Sequence, residues 1–540
     1  MFNSCKKQRQ DILKKYQCVK NSSYNFERIS SYFNNKDKSN AYQVLDDRTL
    51  QDLDFEELFM YLDRTMSLVG QQYLYSILRT IPKNKNQAKI YEQIIERLDQ
   101  KIENKEAALL ELNRLNKPGA YYIQRLIFSK SISRPKWHFL IPILSCLCII
   151  AFTILPFYPV ILLFILPLVI VNLVLHFWNK SNILGYSNTI PQLLILHQVT
   201  KNLFSLNLVI NDKEQIQSSI KVLDKIARLA IFFKWESRMD NEIGQAFGFI
   251  IDLIRGIFLL ETLLFFNLIK KIDLCREEIN ILFSAVAQVD VAISISSLRQ
   301  SLPYFVLPEF VEKEKSWHSN AMYHPLITDP ISNDLTILYQ KSVLISGSNM
   351  SGKTTFIRTI GINALLSQTI NTAFAKEFKI PRYKIFSAIR ISDDLLEQTS
   401  YYYEEVKTIK KLIQESFSSY PNLFLLDELF KGTNTVERIA SGKAVLSFLD
   451  EGNNLAIAST HDLELTEFLS DRYDYFHFSE MIENDILNFD YKLKSGRLIN
   501  TNAIRILEIN GYPVKLTNEA KDIAQQLNEL KISTLNKLQQ

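Results

Sequence analysis

A glycine loop between a short apolar run and a helical pattern is the stretch best suited to do chemistry. Residues 343–345 are Val-Leu-Ile, typical of a buried parallel strand, and helical apolar spacing follows the loop. Between them lie Gly347 and Gly352, separated by four residues, and then Lys353 and Thr354. Glycines let successive N–H groups turn toward a phosphate. Strand, loop and helix in this order predict a phosphate-binding loop; a chance match in a glycine-bearing loop is the alternative.

The residues of this loop have separate expected roles with a nucleoside triphosphate. Lys353 would reach the β- and γ-phosphates, and the Thr354 hydroxyl would join the shell of a Mg²⁺ ion. The start of the following helix adds unpaired N–H groups and the positive end of its dipole. The predicted nucleotide-binding residues are Gly347, Ser348, Asn349, Met350, Ser351, Gly352, Lys353, Thr354 and Thr355.

Two later apolar runs end in residues that suit the same site. Residues 422–426 run into Asp427 and Glu428. Asp427 is predicted to hold Mg²⁺ and Glu428 to polarise the attacking water, because these roles need adjacent acids at the end of a strand beside the loop. Residues 455–460 run into His461, whose imidazole would contact the γ-phosphate or the attacking water. An ordinary strand edge and a structural histidine are the alternatives.

A helix start near residue 400 is the third candidate. Ser400 is placed to cap a helix with Val406, Ile409 and Ile413 on one face. Such a helix start can bind a phosphate. An ordinary capped helix explains the pattern equally well.

The stretch from Trp137 to Trp178 contains no charged residue. One bilayer crossing takes about 20 residues, so its length predicts two crossings, with Pro156 and Pro159 in the turn. Basic residues flank the stretch, at Lys136 and Lys180 among others, which places both ends in the cytoplasm. A buried core hairpin is the alternative.

The rest of the chain is predicted to be largely helical up to a boundary near 298–308. Residues 243–269 are also apolar but contain Asp252, Arg255 and Glu261. Because charges near a bilayer centre are costly, we expect a packed helix there, a third crossing being the alternative. A net charge of +4 predicts no broad field for nucleic acid, and five cysteines without metal-ligand spacing suit a reducing compartment.

In its glycine loop and in the later stretches that suit the same site, the sequence resembles the MutS family. The resemblance is carried by specific motifs, namely Gly-Ser-Asn-Met-Ser-Gly-Lys-Thr-Thr at 347–355, Leu-Leu-Asp-Glu-Leu-Phe-Lys-Gly-Thr-Asn at 425–434, Ser-Thr-His at 459–461, His-Pro-Leu at 324–326 and Tyr-Lys-Leu at 491–493. Weaker similarity upstream includes Leu53-Asp54, Gly70 and Asp290. Tyr401 to Tyr403 depart from the family's usual residues beside Ser400.

The resemblance implies a mixed fold, in which a helical core domain precedes an α/β P-loop ATPase domain of the ABC type. It implies ATP as the nucleotide, a homodimer, and a phosphate contact by Ser400 across the subunit interface, with Gly432 to Asn434 at that interface. Nothing before residue 45 resembles the family's mismatch-reading domain, so we expect a variant without it. The expected domains are 1–44 polar and basic, 45–136 first helical core part, 137–178 transmembrane hairpin, 179–310 second helical core part, 311–515 ATPase domain and 516–540 helical tail.

The leading hypothesis is therefore a two-pass membrane ATPase with both soluble parts in the cytoplasm. The family resemblance adds DNA as a possible partner, in mismatch-repair-related DNA metabolism. The alternative is an ATP-driven membrane protein that acts on a protein or lipid partner without binding DNA.

Overall fold

The computed structural model describes most of the chain in two compact units. The described residues are 16, 18–20, 23–129, 135–187, 189–210, 212–230, 253–312, 315–337, 341–348, 350–390, 401–483, 486–498 and 503–538. The first unit comprises Met1–Ala41 and Phe59–Leu302, and the second comprises Tyr42–Leu58 and Pro303–Gln540. The chain thus enters the second unit twice. The mixed helical and α/β composition agrees with the predicted fold class.

The helices and strands are numbered in chain order. The helices are α1 Phe26–Asn35, α2 Asp47–Asp52, α3 Phe55–Leu62, α4 Leu68–Leu78, α5 Lys89–Gln100, α6 Ile102–Asn113, α7 Ile123–Phe128, α8 Leu140–Ile154, α9 Leu162–Ser187, α10 Thr189–Ser205, α11 Lys213–Ala230, α12 Leu260–Leu274, α13 Arg276–Ser301, α14 Lys353–Ile370, α15 Tyr401–Ser416, α16 Thr435–Leu449, α17 Leu465–Phe468, α18 Ala503–Ile509 and α19 Val514–Leu538. The strands are β1 Ala41–Val44, β2 Thr80–Pro82, β3 Glu309–Phe310, β4 Trp317–Met322, β5 Asn333–Ile337, β6 Ser342–Ser346, β7 Glu377–Ile380, β8 Lys384–Ala388, β9 Asn422–Asp427, β10 Asn454–Thr460, β11 Tyr473–His477, β12 Glu480–Glu483, β13 Ile486–Phe489 and β14 Lys494–Ser495.

Helix α13 is the centre of the first unit and packs on α4, α5, α7, α10 and α11. Its buried Asp290 accepts hydrogen bonds from the backbone N–H of Met66 (2.7 Å) and Ser67 (2.8 Å), at the start of α4. Burial raises the pKa of Asp290 to about 6, although these hydrogen bonds oppose the shift. A Cβ at Gly70 would overlap the Asp290 carboxylate. This contact requires glycine at position 70.

Hydrogen bonds join the beginning and the end of the long first-unit segment Phe59–Leu302. The Arg64 backbone N–H donates to Ser294 Oγ at 2.9 Å, and Arg64 Nη1 donates to the Ser297 carbonyl at 2.9 Å. Arg64 is buried, so both bonds are made away from water. The two ends of this segment are therefore held close together by the fold of the unit itself.

Three described helical spans are long and apolar enough to cross a membrane: Trp137–Ile154, Pro159–Lys180 and Arg276–Ser301. They differ in how much of each the protein covers. The first two are only 17% buried, whereas the third, which is α13, is 83% buried. The third is accordingly a core helix. Large apolar side chains such as Phe157, Val160 and Phe164 are more than 70% exposed on the hairpin formed by the first two.

The exposed hairpin has one covered side, which faces the chain from residue 253 onward. Asn172 Nδ2, fully buried, donates to the Ile257 carbonyl at 2.7 Å, and the rings of Phe152 and Phe258 lie 5.6 Å apart. Residues 231–252 lie outside the described part of the chain. A packed helix was predicted over 243–269. Within that range the described residues form helical turns at 253–257 and the first part of α12.

The second unit is built around a six-stranded sheet in the order β14-β11-β6-β10-β9-β8. All neighbours are parallel except β14, which pairs antiparallel with β11. Strands β6, β9 and β10 are fully buried along their lengths, as expected of apolar runs covered on both faces. A four-stranded sheet, β3-β7-β4-β5, and the β12-β13 hairpin also belong to this unit.

Residues 42–58 belong to this second unit, whereas the sequence grouped 45–58 with the helical core. The reason is a set of polar contacts made by buried Asp52. Its carboxylate accepts from Ser387 Oγ at 2.6 Å, from the Ile389 N–H at 2.9 Å and from the Arg390 N–H at 2.8 Å. These bonds fix helix α2 against the end of strand β8.

Candidate functional site

The glycine loop connects β6 to α14, and its two glycines have backbone angles that favour glycine. Gly347 has φ +154° and Gly352 has φ +105°. A Cβ at Gly347 would lie 2.7 Å from the Phe478 carbonyl oxygen. The Lys353 ammonium donates to the carbonyl oxygens of Gly347 (2.9 Å) and Ser348 (2.8 Å). Burial lowers the pKa of Lys353, while the carboxylates nearby oppose that shift.

The ends of three parallel strands meet beside this loop. In the sheet register Ser346 of β6 pairs with Thr460 of β10, and Ser459 pairs with Asp427 at the end of β9. The Thr354 hydroxyl donates to Asp427 Oδ2 at 2.7 Å, and the Ser459 hydroxyl contacts the other oxygen of that carboxylate. The two residues predicted to hold Mg²⁺ are thus in direct contact.

Glu428 and His461 also lie together. Glu428 is in the left-handed region, at φ +52°, and its Oε1 contacts His461 Nε2 while its Oε2 lies 2.7 Å from Lys431 Nζ. Burial favours the neutral acid, but the bonds from His461 and Lys431 outweigh it and lower the pKa of Glu428 to about 2. Glu428 is therefore a carboxylate at neutral pH, as a residue that polarises water must be.

A cavity of about 590 Å³ opens at the loop. Part of its wall is polar, formed by Lys353, Thr354 and Glu428. Another part is apolar or aromatic and includes Ile327, Pro330, Phe478 and Tyr491. A cavity with both kinds of wall can bind a molecule that has a charged end and a flat, less polar end.

The remaining predicted site residues have different positions. Ser351 is buried and its hydroxyl donates to the Ser348 carbonyl at 2.8 Å, and Thr355 lines the cavity. Met350 lines it too but is 84% exposed, at φ +68°. Asn349 and Ser400 lie outside the described residues. The structure therefore brings together the described loop residues, Asp427, Glu428 and His461.

Sequence reasoning missed two acids that contact this site. Glu480 is buried, and its Oε2 accepts a 2.6 Å hydrogen bond from the Ser348 hydroxyl. Glu405 is fully buried and accepts from the backbone N–H of Phe430, two residues after Glu428. Burial raises the pKa of Glu405, while hydrogen bonds from the backbone at 430–432 oppose the shift. The only sequence signal was a carboxylate inside an otherwise ordinary helix or strand.

A third missed residue is His324, whose only sequence signal was its place in the His-Pro-Leu motif of the family resemblance. It lines the cavity, and burial lowers its pKa to about 4. The imidazole is therefore neutral at pH 7 and presents a flat ring to the cavity. A neutral ring can stack on a nucleobase without the desolvation cost of a charge.

The residues present fit Mg²⁺ bound together with a triphosphate. Among the described residues no cluster of three His, Cys, Asp or Glu side chains would hold a metal unaided. Mg²⁺ in nucleotide sites is typically held by one or two protein oxygens, with phosphates and water completing an octahedron. Thr354 and Asp427 are the two residues whose side-chain oxygens would hold it.

Comparisons with known proteins agree on this region. The family model described as MutS domain V matches residues 343–528. Curated proteins named DNA mismatch repair protein MutS are similar: that of Petrotoga mobilis is 28% identical over 262 residues, covering 47% of this chain and 32% of the relative. That of Listeria welshimeri is 27% identical over 303 residues (54% and 35%), and that of Thermus aquaticus 28% over 262 residues (48% and 31%). The chain thus spans about a third of the length of each relative.

Proposed function

Because the chain belongs to the MutS family, we propose that it is a membrane-anchored ATPase that binds and hydrolyses ATP with Mg²⁺ as a homodimer. One observation carries the proposal, namely the contact between Thr354 and Asp427 at the mouth of the glycine loop. It joins the loop to the acidic strand in the arrangement that a Mg²⁺-nucleotide site needs.

We assign ATP to the 590 Å³ cavity. The loop N–H groups and Lys353 would bind the phosphates, and Lys353 would exchange its loop carbonyl partners for phosphate oxygens. His324, Ile327 and Tyr491 would enclose the base. Mg²⁺ bound at Thr354 and Asp427 would neutralise charge on the phosphates.

The hydrolytic step is assigned to Glu428. As a carboxylate it accepts a proton or hydrogen bond from the attacking water, and His461 and Lys431 hold its two oxygens in fixed directions. The backbone at Glu428 is tied to the sheet by a hydrogen bond from its N–H to the Ser459 carbonyl (3.1 Å). A fixed base of this kind lowers the entropic barrier to attack.

A homodimer is favoured by exposed apolar side chains in the glycine loop and beside the predicted interface residues. Met350 is 84% exposed and Val436, at the start of α16, is 77% exposed. Isolated side chains of this size on a surface are common, but one in the glycine loop and one directly after the predicted interface residues suit an interface that closes over the site. In the proposed dimer Ser400 contacts the partner's nucleotide, and Gly432 to Asn434 lie at the subunit interface.

The membrane anchor is proposed for residues 137–178. Its two helices are each long enough to cross a bilayer and expose most of their apolar surface. Exposing that surface to water would be unfavourable, because removing apolar area from water contributes about 25 cal/mol of favourable free energy per Å². Trp137 and Trp178 lie 5.2 Å apart at the open end of the hairpin, where aromatic side chains favour the membrane interface.

The ATPase assignment is tested with the full chain purified in detergent. Wild-type protein should hydrolyse ATP only with Mg²⁺, Lys353→Ala should lose binding and hydrolysis, and Glu428→Gln should bind ATP but not hydrolyse it. Lys443→Ala, on helix α16 of the same unit and outside the cavity, is the matched control. Hydrolysis by Lys353→Ala at the wild-type rate would refute the assignment.

The membrane assignment is tested by flotation with liposomes. The full chain should float, and a variant with residues 137–178 replaced by a Gly-Ser linker should stay in the soluble fraction while keeping its ATPase activity. A soluble wild-type chain would refute the anchor without touching the ATPase proposal.

The process served is proposed to be DNA metabolism related to mismatch repair, as the names of the relatives suggest. Binding to duplex or branched DNA should weaken steeply with salt, because phosphate contacts release counterions. If no binding is detected at low salt, the second candidate takes its place, an ATPase acting on a membrane protein or lipid. The exposed hairpin is the observation that favours this candidate.

A further inference from the structure

Asp54 makes ion pairs with two arginines that belong to different parts of the nucleotide unit. Its Oδ2 lies 2.8 Å from Arg358 on helix α14, and its Oδ1 lies 2.6 Å from Arg390 after strand β8. Arg358 is 14% exposed and Arg390 is 54% exposed. One carboxylate, from a segment far away in sequence, thus links the helix that follows the glycine loop to the end of a strand of the sheet.

The backbone at Asp54 is held in an unfavourable conformation. Its φ is +50°, in the left-handed region that most L-residues avoid. Such a conformation is unfavourable and persists only where surrounding contacts impose it. Here the preceding residue is fixed as well, because Leu53 is fully buried. The segment is therefore built to direct this carboxylate toward the two arginines.

Leu53 packs on the same helix one turn further along. A Cβ added at Gly361 of α14 would lie 2.7 Å from the Leu53 side chain. Glycine at 361 therefore allows the segment to approach the helix closely. Together, Arg358 and Gly361 fix two successive turns of α14 to residues 53 and 54.

The first of these turns, at Arg358, directly follows the turn that contains Thr354, a residue of the proposed Mg²⁺ site. Arg358 is four residues after Thr354, so both lie on the same face of α14, separated by about 6 Å along its axis. Thr354 in turn contacts Asp427. The path from Asp54 to the proposed Mg²⁺ site therefore contains one ion pair, one helical turn and one hydrogen bond.

We propose that Asp54 is a positioning residue for ATP hydrolysis, which holds α14 against the end of strand β8 so that Thr354 meets the nucleotide correctly. The proposal rests on the proposed ATPase function. It assigns a role in the ATPase to residues 42–58, which the sequence grouped with the helical core.

The electrostatics of the cavity wall agree with this role. The pKa of His324, lowered chiefly by burial, is raised by Asp54 and lowered by Arg358. Both partners of the ion pair therefore act on a residue that lines the cavity.

The test compares Asp54→Asn with wild type in the full chain. Asparagine keeps the shape of the side chain and tolerates the left-handed conformation, so the variant removes the charge and little else. We expect kcat for ATP to fall about tenfold while the Kd of a fluorescent ATP analogue changes less than twofold and the melting temperature stays within a few degrees. Asp471→Asn, which alters an exposed acid of the same unit, should behave as wild type.

A second variant keeps the proposal testable if Asp54→Asn folds poorly. Arg390→Gln alters the more exposed partner and should lower kcat by a similar factor. The double variant should be no slower than either single variant, because both remove the same contact. Additive losses, an unchanged kcat, or a loss of kcat matched by equal losses of ATP affinity and melting temperature would overturn the proposal. Failure of the ATPase assignment is a separate outcome, seen as wild-type hydrolysis that does not require Lys353.

Discussion

Replacing His461 by asparagine tests how Glu428 is prepared for catalysis. In the structure His461 contacts one oxygen of Glu428, and Lys431 lies 2.7 Å from the other. A hydrogen bond to a charged group contributes about 1.5–3 kcal/mol. Since 1.36 kcal/mol corresponds to a tenfold change in rate, losing this orientation should lower kcat by about 10- to 100-fold.

The pH dependence separates orientation from protonation. With His461 in place the pKa of Glu428 is lowered to about 2. Without the histidine its pKa should rise toward the usual value near 4.5, while Lys431 still opposes protonation. Glu428 would remain ionised at pH 6, so the loss in kcat should be the same at pH 6 and pH 8.

The assay is steady-state ATP hydrolysis from pH 6 to pH 8, with ATP binding measured in parallel. His477→Asn is the matched control, because His477 ends strand β11 of the same sheet and contacts the Gly496 carbonyl rather than the cavity. Recovery of the His461→Asn rate on raising the pH to 8 would mean that Glu428 had become protonated, and would refute this reasoning. A wild-type rate throughout would refute the role of His461.

Three other substitutions have defined expected outcomes. Asp427→Asn should raise the Mg²⁺ concentration for half-maximal hydrolysis at least about tenfold, measured by Mg²⁺ titration, because it removes a charged metal ligand. Glu480→Gln should tighten ATP binding about two- to fivefold in a titration with a fluorescent analogue, because it removes a buried negative charge beside Ser348 and the phosphate loop. Asp290 has its pKa raised to about 6 from 3.8, so its contribution to stability is full below pH 3.8 and is lost as the pH rises through 6. The free energy of urea unfolding should therefore fall by about 1 kcal/mol between pH 5 and 7 in wild type relative to Asp290→Asn, and a parallel dependence in the two proteins would contradict this.

The sequence predicted the strands and the loop of the site because their signals are local. Apolar runs at 343–345, 422–426 and 455–460 lie within β6, β9 and β10. The second and third of these runs lead into Asp427 and His461, which we expected at the carboxyl edge of a parallel sheet. The contact between Thr354 and Asp427 follows from that geometry, although the two residues are far apart in the chain.

Contacts that depend on tertiary packing were not predictable in the same way. Helix α13 is also long and apolar enough to cross a membrane, but it is 83% buried, whereas the hairpin spans are 17% buried. Asp54, Glu405 and Glu480 carry no local pattern that indicates a partner. Their roles follow from packing between distant segments, which periodicity along the chain does not report.

The second entry of the chain into the nucleotide unit also bears on biosynthesis. Residues 42–58 are synthesised before the rest of this unit, which resumes at Pro303 after an insertion of roughly 240 residues. For an unstructured insertion of that length, loop closure would cost roughly 5 kcal/mol. The hydrogen bonds of Arg64 to Ser294 and Ser297 reduce this cost, because a folded first unit already brings its two ends together. An isolated fragment beginning at Pro303 would lack Leu53 and Asp54, leaving an apolar face and two arginines exposed, and should be prone to aggregate.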